Sequence, residues 1–214
     1  KAHVVPHGYD RSLLPTQPAR EQPERLRIVH TGNFYGLRSP AGLLEGLRIL
    51  KSEHADWSKL DIVFIGFTKH VDRWRTFVRQ NGLEAQVRFL PPMPYRESLA
   101  AAGAGDVLLV VDAPTEDASP FLPSKLVEYL MFGKPILGLT PAQGASTDLL
   151  RQLGQPLVAP DDPAAIAAAL ADLLAAWQRG RLTVSKKFER VAAAYDIAAT
   201  TERLDGILQT LVSG

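Results

Sequence analysis

A lysine and a glutamate stand three residues apart in the segment SKLVEYL, at positions 125 and 128. The apolar pattern of this segment predicts a helix that begins at Ser124 and carries both charged residues on one face. A cation in the first turn of a helix is disfavoured by roughly 0.3–1 kcal/mol, because the helix N-terminus carries partial positive charge. Arg38 stands just before a second predicted helix, which begins near Pro40. Two such cations predict a site for an anion with more than one phosphate.

Glu128 follows Lys125 by one helical turn. A carboxylate at this place cannot bind phosphate, but it can accept hydrogen bonds from the vicinal hydroxyls of a ribose. Gly32, in the loop before Arg38, would let the backbone approach the phosphates closely. In the alternative interpretation, Lys125 and Glu128 pair on the surface for roughly 0.2–0.5 kcal/mol, although lysine before glutamate is the poorer orientation for such a pair.

The elements that must position these residues follow an alternating pattern from residue 26 onward. Short apolar or β-branched runs predict strands, and the stretches between them predict helices. The predicted strands cover residues 26–32, 60–67, 86–92, 105–114, 133–140 and 155–160, and the predicted helices cover residues 40–52, 70–80, 95–102, 124–132, 145–153 and 162–178. Six strands joined by helices predict an α/β fold, a Rossmann-like doubly wound six-stranded parallel sheet with extra C-terminal helices.

The expected strand order of such a sheet is 3-2-1-4-5-6, which reverses between the first strand and the fourth. Ligands bind at this reversal, outside the carboxyl ends of the strands. The loops at 30–40 and 110–128 leave those two strand ends, and they contain Arg38 and Lys125. The topology therefore predicts that both cations converge on one crevice.

Composition excludes several classes of function. The chain has 214 residues, a net charge of +1 and no cysteine. Interspersed charges provide no basic field for nucleic acid, and the lack of cysteine excludes disulfides and thiolate zinc sites. The five histidines have no metal-ligand spacing, so no metal is expected, and His30 is expected to be a packed core residue. Asp161 and Asp162 precede a proline and are interpreted as a helix cap.

Both ends of the chain differ from the alternating pattern. Residues 1–25 are predicted to form an interdomain segment and an exposed connector, and 26–178 a nucleotide-binding domain. Residues 179–214 are predicted to form one or two amphipathic helices that need an apolar surface to cover. The basic segment at 179–190 is interpreted as a solvated helix face, with peripheral contact to an anionic membrane as the alternative.

Several segments together resemble the C-terminal, nucleotide-sugar-binding domain of GT-B-fold glycosyltransferases of the large retaining family four. VVPHGYD resembles the segment between the two domains of that family, and TGNFYGLRSPAGLLEGLRIL resembles the first loop and helix of the second domain. LDIVFIG and QVRFLPPMPYRESLAAAGAGDVLLV resemble its next three strands, and SKLVEYLMFGKPIL resembles the nucleotide-binding helix. The resemblance extends to about residue 178 and rests on the order and spacing of these segments.

The resemblance implies roles for individual residues. Arg38 falls on the lysine of the family that holds the donor diphosphate, Asn33 replaces the arginine five positions earlier, and Glu128 falls on the ribose-binding glutamate. Arg38 and Lys125 would stabilise the leaving diphosphate without a metal or another cofactor. The resemblance implies that the nucleotide sugar is bound by residues of four segments, namely Gly32, Asn33, Gly66, Pro92, Met93, Ser124, Lys125, Leu126 and Glu128.

One position departs from the family. Its paired glutamates are eight positions apart, and the residue eight before Glu128 is Pro120. The usual contact to the transferred sugar is therefore missing, and Glu116 or Asp117 are possible substitutes. The nucleotide half of the site matches the family better than the sugar half.

The resemblance implies a donor-binding domain of a glycosyltransferase that acts in glycan or polysaccharide biosynthesis in the cytoplasm, with a peripheral place at the inner face of the membrane as an option. The acceptor-binding N-terminal domain would be a separate part, so these residues alone are expected to bind nucleotide and to transfer nothing. Two alternatives stay open, half of a nucleotide-sugar 2-epimerase and a degenerate module that scaffolds a partner. Analogy of fold does not decide between them.

Overall fold

The computed structural model describes residues 3–15, 24–115 and 117–212. Its strands are β1 (Leu26–Thr31), β2 (Leu60–Ile65), β3 (Val87–Leu90), β4 (Val107–Val111), β5 (Ile136–Leu139) and β6 (Leu157–Val158). Its helices are α1 (Ala41–Glu53), α2 (Val71–Gln80), α3 (Tyr95–Gly103), α4 (Ser124–Leu130), α5 (Ala145–Leu153), α6 (Pro163–Gln178), α7 (Lys186–Ala193) and α8 (Ile197–Val212). Short 3-10 turns occur at Arg11–Leu13 and Ala55–Lys59.

The six strands form one parallel sheet in the order β3-β2-β1-β4-β5-β6. This is the predicted fold class and the predicted strand order. The observed strands are shorter than the predicted ones, because the apolar runs continue into Gly- and Pro-containing segments that leave the ladder. β6 is the extreme case, with two residues where six were predicted.

Two apolar layers cover the sheet. Helices α1 and α6 pack on one face, with Trp74 and Phe77 of α2 at the margin of that layer. Helices α3, α4, α5 and α7 cover the other face. Strands β1, β2 and β4 are buried along their whole length, as expected for strands covered by helices on both sides.

The predicted helix cap of α6 is confirmed, and the start of α1 differs from its prediction by one residue. Asp162 caps α6, where its side chain accepts a hydrogen bond of 3.0 Å from the backbone N–H of Ala165, and Pro163 is the first helical residue. Pro40, predicted as the first residue of α1, is instead its N-cap and has no side chain that can cap the helix. The hydroxyl of the preceding Ser39 accepts a long hydrogen bond of 3.4 Å from the N–H of Ala41, the first residue of α1.

A buried ion-pair group joins the three strands β1, β2 and β3. Asp61 is almost fully buried and lies 2.7 Å from Nε of Arg27 and 2.9 Å from Nη2 of Arg88. Two guanidinium groups thus balance one carboxylate inside the sheet, near the beginning of the strands. Loss of one partner of such a group leaves a buried charge uncompensated.

The described part of the amino-terminal segment is attached to the last two helices. Tyr9 is buried, its N–H donates to the Tyr195 carbonyl and its carbonyl accepts from Ile197 N–H, while Arg11 pairs with Asp196 at 3.2 Å. Two helices follow residue 183, within the predicted range. The domain limits at 25, 178 and 179 stay predictions, and residues 16–23 of the predicted connector lie outside the described residues.

Helix α8 keeps an exposed apolar stripe that includes Leu204, Leu208 and Leu211. Among the described helices, none combines the length and the apolar character needed to cross a membrane.

Candidate nucleotide site at the sheet reversal

The loops after β1 and β4 leave neighbouring strands at the carboxyl edge of the sheet, because β1 pairs with β2 on one side and with β4 on the other. This is the reversal of strand order at which doubly wound sheets bind ligands. The structure brings Lys125 and Arg38 into electrostatic contact there, as the sequence predicted.

Helix α4 is fixed against the end of β1 by a buried tyrosine. The hydroxyl of Tyr129 accepts a hydrogen bond of 2.9 Å from the backbone N–H of Thr31, and it lies 3.0 Å from the Thr31 hydroxyl. Burial raises the pKa of Tyr129 to about 12, so the hydroxyl stays neutral. Since Tyr129 lies one turn after Lys125 on α4, this contact determines where the lysine enters the crevice.

The Lys125 ammonium occupies the space that a side chain at Gly32 would need. A Cβ atom on Gly32 would overlap Nζ of Lys125, and Gly32 has φ +133°, a conformation that other residues rarely adopt. Burial, followed by the charge of Arg38, lowers the pKa of Lys125 to about 8, whereas Asp112 and Glu128 act in the opposite direction. The glycine thus admits the lysine side chain, and the site holds a cation that lacks full compensation.

Arg38 is held between aromatic rings and a carboxylate. Its guanidinium carbon lies 4.5 Å from the ring centre of Phe121 and 5.5 Å from that of Tyr35, and Nη1 donates to the Tyr35 hydroxyl at 3.1 Å. Nη2 lies 3.6 Å from Oδ1 of Asp112. Nε of Arg38 is buried without a hydrogen-bond partner among the described residues. Such a partly satisfied guanidinium can still donate to an anion.

Asp112, at the end of β4, is a site residue that the sequence analysis missed. Its side chain is only 5% exposed, and Oδ1 has no hydrogen-bond partner within the described ranges. Burial raises the pKa of Asp112, while a hydrogen bond with Ser146 and the charges of Arg38 and Lys125 oppose that rise. The signal in the sequence was an acidic residue directly after a buried apolar strand at the reversal point.

His30 is buried beneath this crevice, as expected for a core residue. Its Nδ1 lies 2.9 Å from the carbonyl oxygen of Leu109, and its ring stacks on Phe34 at 4.5 Å. Burial, together with the charge of Lys125 and a smaller effect of Arg38, lowers the pKa of His30 to about 3. The histidine is therefore neutral and adds no charge to the site near neutral pH.

Glu128 lies on α4 beyond Lys125 and accepts a hydrogen bond of 3.2 Å from the Tyr95 hydroxyl at the start of α3. Tyr95 is a second residue that the sequence analysis missed, because a contact between α3 and α4 leaves no local pattern. Ser124 is exposed at the first position of α4. Leu126 is fully buried in the core, so only its backbone could contact a ligand.

Gly66 and Asn33 belong to the junction of the loops after β1 and β2. Oδ1 of Asn33 accepts from Phe67 N–H at 2.9 Å, and a Cβ atom on Gly66 would overlap the carbonyl of Gly32. Pro92 and Met93 lie in the loop between β3 and α3, with Pro92 exposed and Met93 packed partly on the core. Gly66 and Asn33 thus shape the loop that carries Gly32, and a direct contact of any of these residues with a ligand stays a prediction.

The residues suggested for the sugar lie in the loop between β4 and α4. Asp117 is exposed, and its N–H donates to the Thr115 hydroxyl at 3.2 Å. Glu116 lies outside the described residues. A role for either residue at the transferred sugar stays a prediction.

Within residues 3–15, 24–115 and 117–212, no group of three or more metal-ligating side chains is found. A cleft of about 530 Å³ lies between α1 and α2, where it is lined by residues such as Leu44, Trp74 and Phe77. The cations of the sheet reversal do not line that cleft.

No protein-family model matches the sequence, and no curated protein matches it. Solved structures do match its fold. Alr3699/HepE from Anabaena in complex with UDP superposes with a TM-score of 0.74 at 16% identity, covering 95% of this chain and 56% of that one. A second structure of the Anabaena protein contains UDP-glucose.

Two further structures agree in fold and in coverage. Sucrose-phosphate synthase from Thermosynechococcus elongatus matches with a TM-score of 0.71 at 18% identity, over 99% of this chain and 53% of its own. A glycosyltransferase from Rickettsia africae matches with a TM-score of 0.74 at 10% identity, and the match covers 98% of this chain and 57% of that one. The chain therefore spans a little over half the length of these proteins and shares the Rossmann-like α/β architecture of the part that it matches.

Proposed function

We propose that this chain is the donor-binding domain of a glycosyltransferase that uses a nucleoside diphosphate sugar. The observation that carries the proposal is the pair of cations at the sheet reversal, Lys125 half-buried in α4 and Arg38 held by Asp112, with Glu128 one turn beyond the lysine. Likeness in fold to a protein whose structures contain UDP and UDP-glucose supports it.

The two cations suit a diphosphate in charge and in position. Lys125 and Arg38 repel each other, and their mutual effect contributes to the lowered pKa of Lys125. A diphosphate between them would replace this repulsion by two charge-assisted contacts, which are among the stronger polar interactions in proteins. The anion would also lie at the N-terminal end of α4, whose first turn contains no acidic residue.

Glu128 gives the site a contact for the ribose. One carboxylate oxygen of Glu128 accepts from Tyr95, and the other, which has no hydrogen-bond partner among the described residues, can accept from a sugar hydroxyl. The base would then lie toward the loop that contains Pro92 and Met93, between β3 and α3. The identity of the base is a matter for measurement.

In transfer, Lys125 and Arg38 would stabilise the charge that develops on the departing diphosphate. This is electrostatic catalysis by groups that are already in place, and it requires no nucleophile or metal from these residues. We further propose a retaining transfer to a hydroxyl acceptor held by a second domain, in glycan biosynthesis. In this proposal the second domain supplies the acceptor, so the described domain alone binds donor without transferring sugar.

The affinity for UDP should fall when the pH rises through the pKa of Lys125. Only the protonated lysine attracts the diphosphate, and this pKa is about 8 in the free domain. Bound diphosphate raises the pKa further, so the binding constant should drop about tenfold between about pH 7 and about pH 9. His30, whose pKa is lowered to about 3, stays neutral over this range.

Calorimetric titration at several pH values measures this dependence. The Lys125→Arg variant is the matched control, because arginine stays protonated and its profile should be flat. An equally steep profile in that variant would assign the pH dependence to another group.

Titration with UDP, GDP, ADP and dTDP tests the proposed function and identifies the base. We expect micromolar binding of at least one of these nucleotides, weakened about tenfold by Glu128→Ala, since a charged hydrogen bond to ribose is worth about 1.5 kcal/mol. Glu84→Ala, which alters an exposed glutamate in the turn before β3, should bind like the wild type. Absence of binding by all four nucleotides would contradict the proposal and favour the scaffold alternative.

A further inference from the structure

Asp112 places a buried negative charge at an anion site. The carboxylate lies at the end of β4 with its side chain 5% exposed, and Oδ1 is 3.6 Å from Nη2 of Arg38, too far for a hydrogen bond. Neither Oδ1 of Asp112 nor Nε of Arg38 has a hydrogen-bond partner within the described ranges. Each group is therefore balanced in charge but not in hydrogen bonding.

The surroundings of Asp112 contain two cations and few other charges. Arg38 and Lys125 both act on the carboxylate, and Ser146 adds a neutral hydrogen bond. Lys125 in turn feels Arg38, Asp112 and Glu128. His30, which feels the charges of both cations, is neutral. Without Asp112, two cations would face each other in a partly buried crevice, balanced only by Glu128.

We propose that Asp112 is an internal counter-anion that holds Arg38 and Lys125 in the empty crevice and competes with the diphosphate for them. This inference rests on the proposed function only in requiring a diphosphate to bind there. Asp112 acts through the two cations and is a positioning residue in this sense. A bound diphosphate would lie within reach of the same carboxylate, so Asp112 lowers affinity while it preserves the arrangement of the site.

Neutralising Asp112 should change both the empty and the occupied site. In Asp112→Asn the cations lose their internal partner, so the pKa of Lys125 in the free domain should fall further, because Asp112 raises it in the wild type. Inorganic pyrophosphate should bind about tenfold tighter, because the repulsion of a nearby like charge is removed. A purely structural role would lower stability without strengthening the binding of an anion.

The experiment titrates pyrophosphate and UDP into the wild type and three variants. Asp112→Asn and the smaller Asp112→Ser both remove the charge. Asp61→Asn is the matched control, since Asp61 is also a buried carboxylate paired with arginine but lies near the beginning of β2. We expect tighter pyrophosphate binding in the two Asp112 variants, with the wild-type binding constant retained in Asp61→Asn.

The outcomes separate this inference from the proposed function. The counter-anion role of Asp112 would be overturned if pyrophosphate binding is unchanged or weaker in both Asp112 variants. It would also be overturned if both variants fail to fold. The same tightening in Asp61→Asn would overturn it as well. If pyrophosphate binding follows the expectation while no nucleotide binds, the counter-anion stands and the donor-binding function fails.

Discussion

Replacing Lys125 by methionine should weaken UDP binding about a hundredfold. Methionine keeps the length and the apolar part of the side chain but removes the ammonium that lies beside Gly32. A charge-assisted contact to a phosphate in a partly buried site is worth about 2–3 kcal/mol, which corresponds to this loss. Calorimetry with UDP at about pH 7 measures the change.

The same variant should be more stable than the wild type when no ligand is present. Because the folded-state pKa of Lys125 is lowered to about 8, the protonated lysine destabilises the fold below that pH. This cost disappears as the pH rises from about 8 toward the ordinary lysine value. The variant should therefore melt at a higher temperature near neutral pH and lose its advantage in alkaline buffer.

Lys186→Met is the control for both effects. Lys186 is also in the first turn of a helix, but it is exposed and lies at the start of α7, away from the sheet reversal. UDP binding and stability should change little in this variant. A comparable loss of UDP binding in Lys186→Met, or unchanged binding in Lys125→Met, would contradict the role given to Lys125.

Gly32→Ala should weaken UDP binding about thirtyfold without altering any charge. The added Cβ atom would overlap the Lys125 ammonium, which must move away from the end of β1. Displacing this charged contact should cost about 2 kcal/mol of binding free energy, which corresponds to the thirtyfold loss. The unusual φ of +133° at Gly32 adds a cost of about 1–3 kcal/mol to the stability of the fold.

Gly154→Ala separates these two effects. Gly154 also has a positive φ, and no atom lies within 4 Å of a Cβ built on it. This variant should lose stability and keep the UDP affinity of the wild type. Equal binding losses in Gly154→Ala and Gly32→Ala would mean that backbone strain, and not the position of Lys125, controls the site.

Most of the fold could be predicted from local patterns. Alternating apolar runs and helical stretches determine six strands and their helices, and the rules for doubly wound sheets determine the strand order. The approach of Lys125 and Arg38 follows from that order, since one lies after β4 and the other after β1. Strand ends were less accurate, because an apolar run does not show where the ladder hydrogen bonds stop.

The parts that were missed depend on contacts between distant segments. Asp112 pairs with Arg38, 74 positions earlier in the chain, and Tyr95 donates to Glu128, 33 positions later. Neither pair has a spacing that a local pattern could reveal. Gly32 was predicted to admit phosphate, whereas the structure fills the same space with Lys125, whose place depends on the hydrogen bonds of Tyr129 with Thr31.

A crystal structure of the domain with UDP would test the proposed site most directly. We expect the diphosphate between Lys125 and Arg38 at the ends of β1 and β4, the ribose hydroxyls at Glu128 and the base near Met93. UDP bound in the cleft between α1 and α2, or at the sheet reversal with its phosphates turned away from Lys125, would contradict this arrangement.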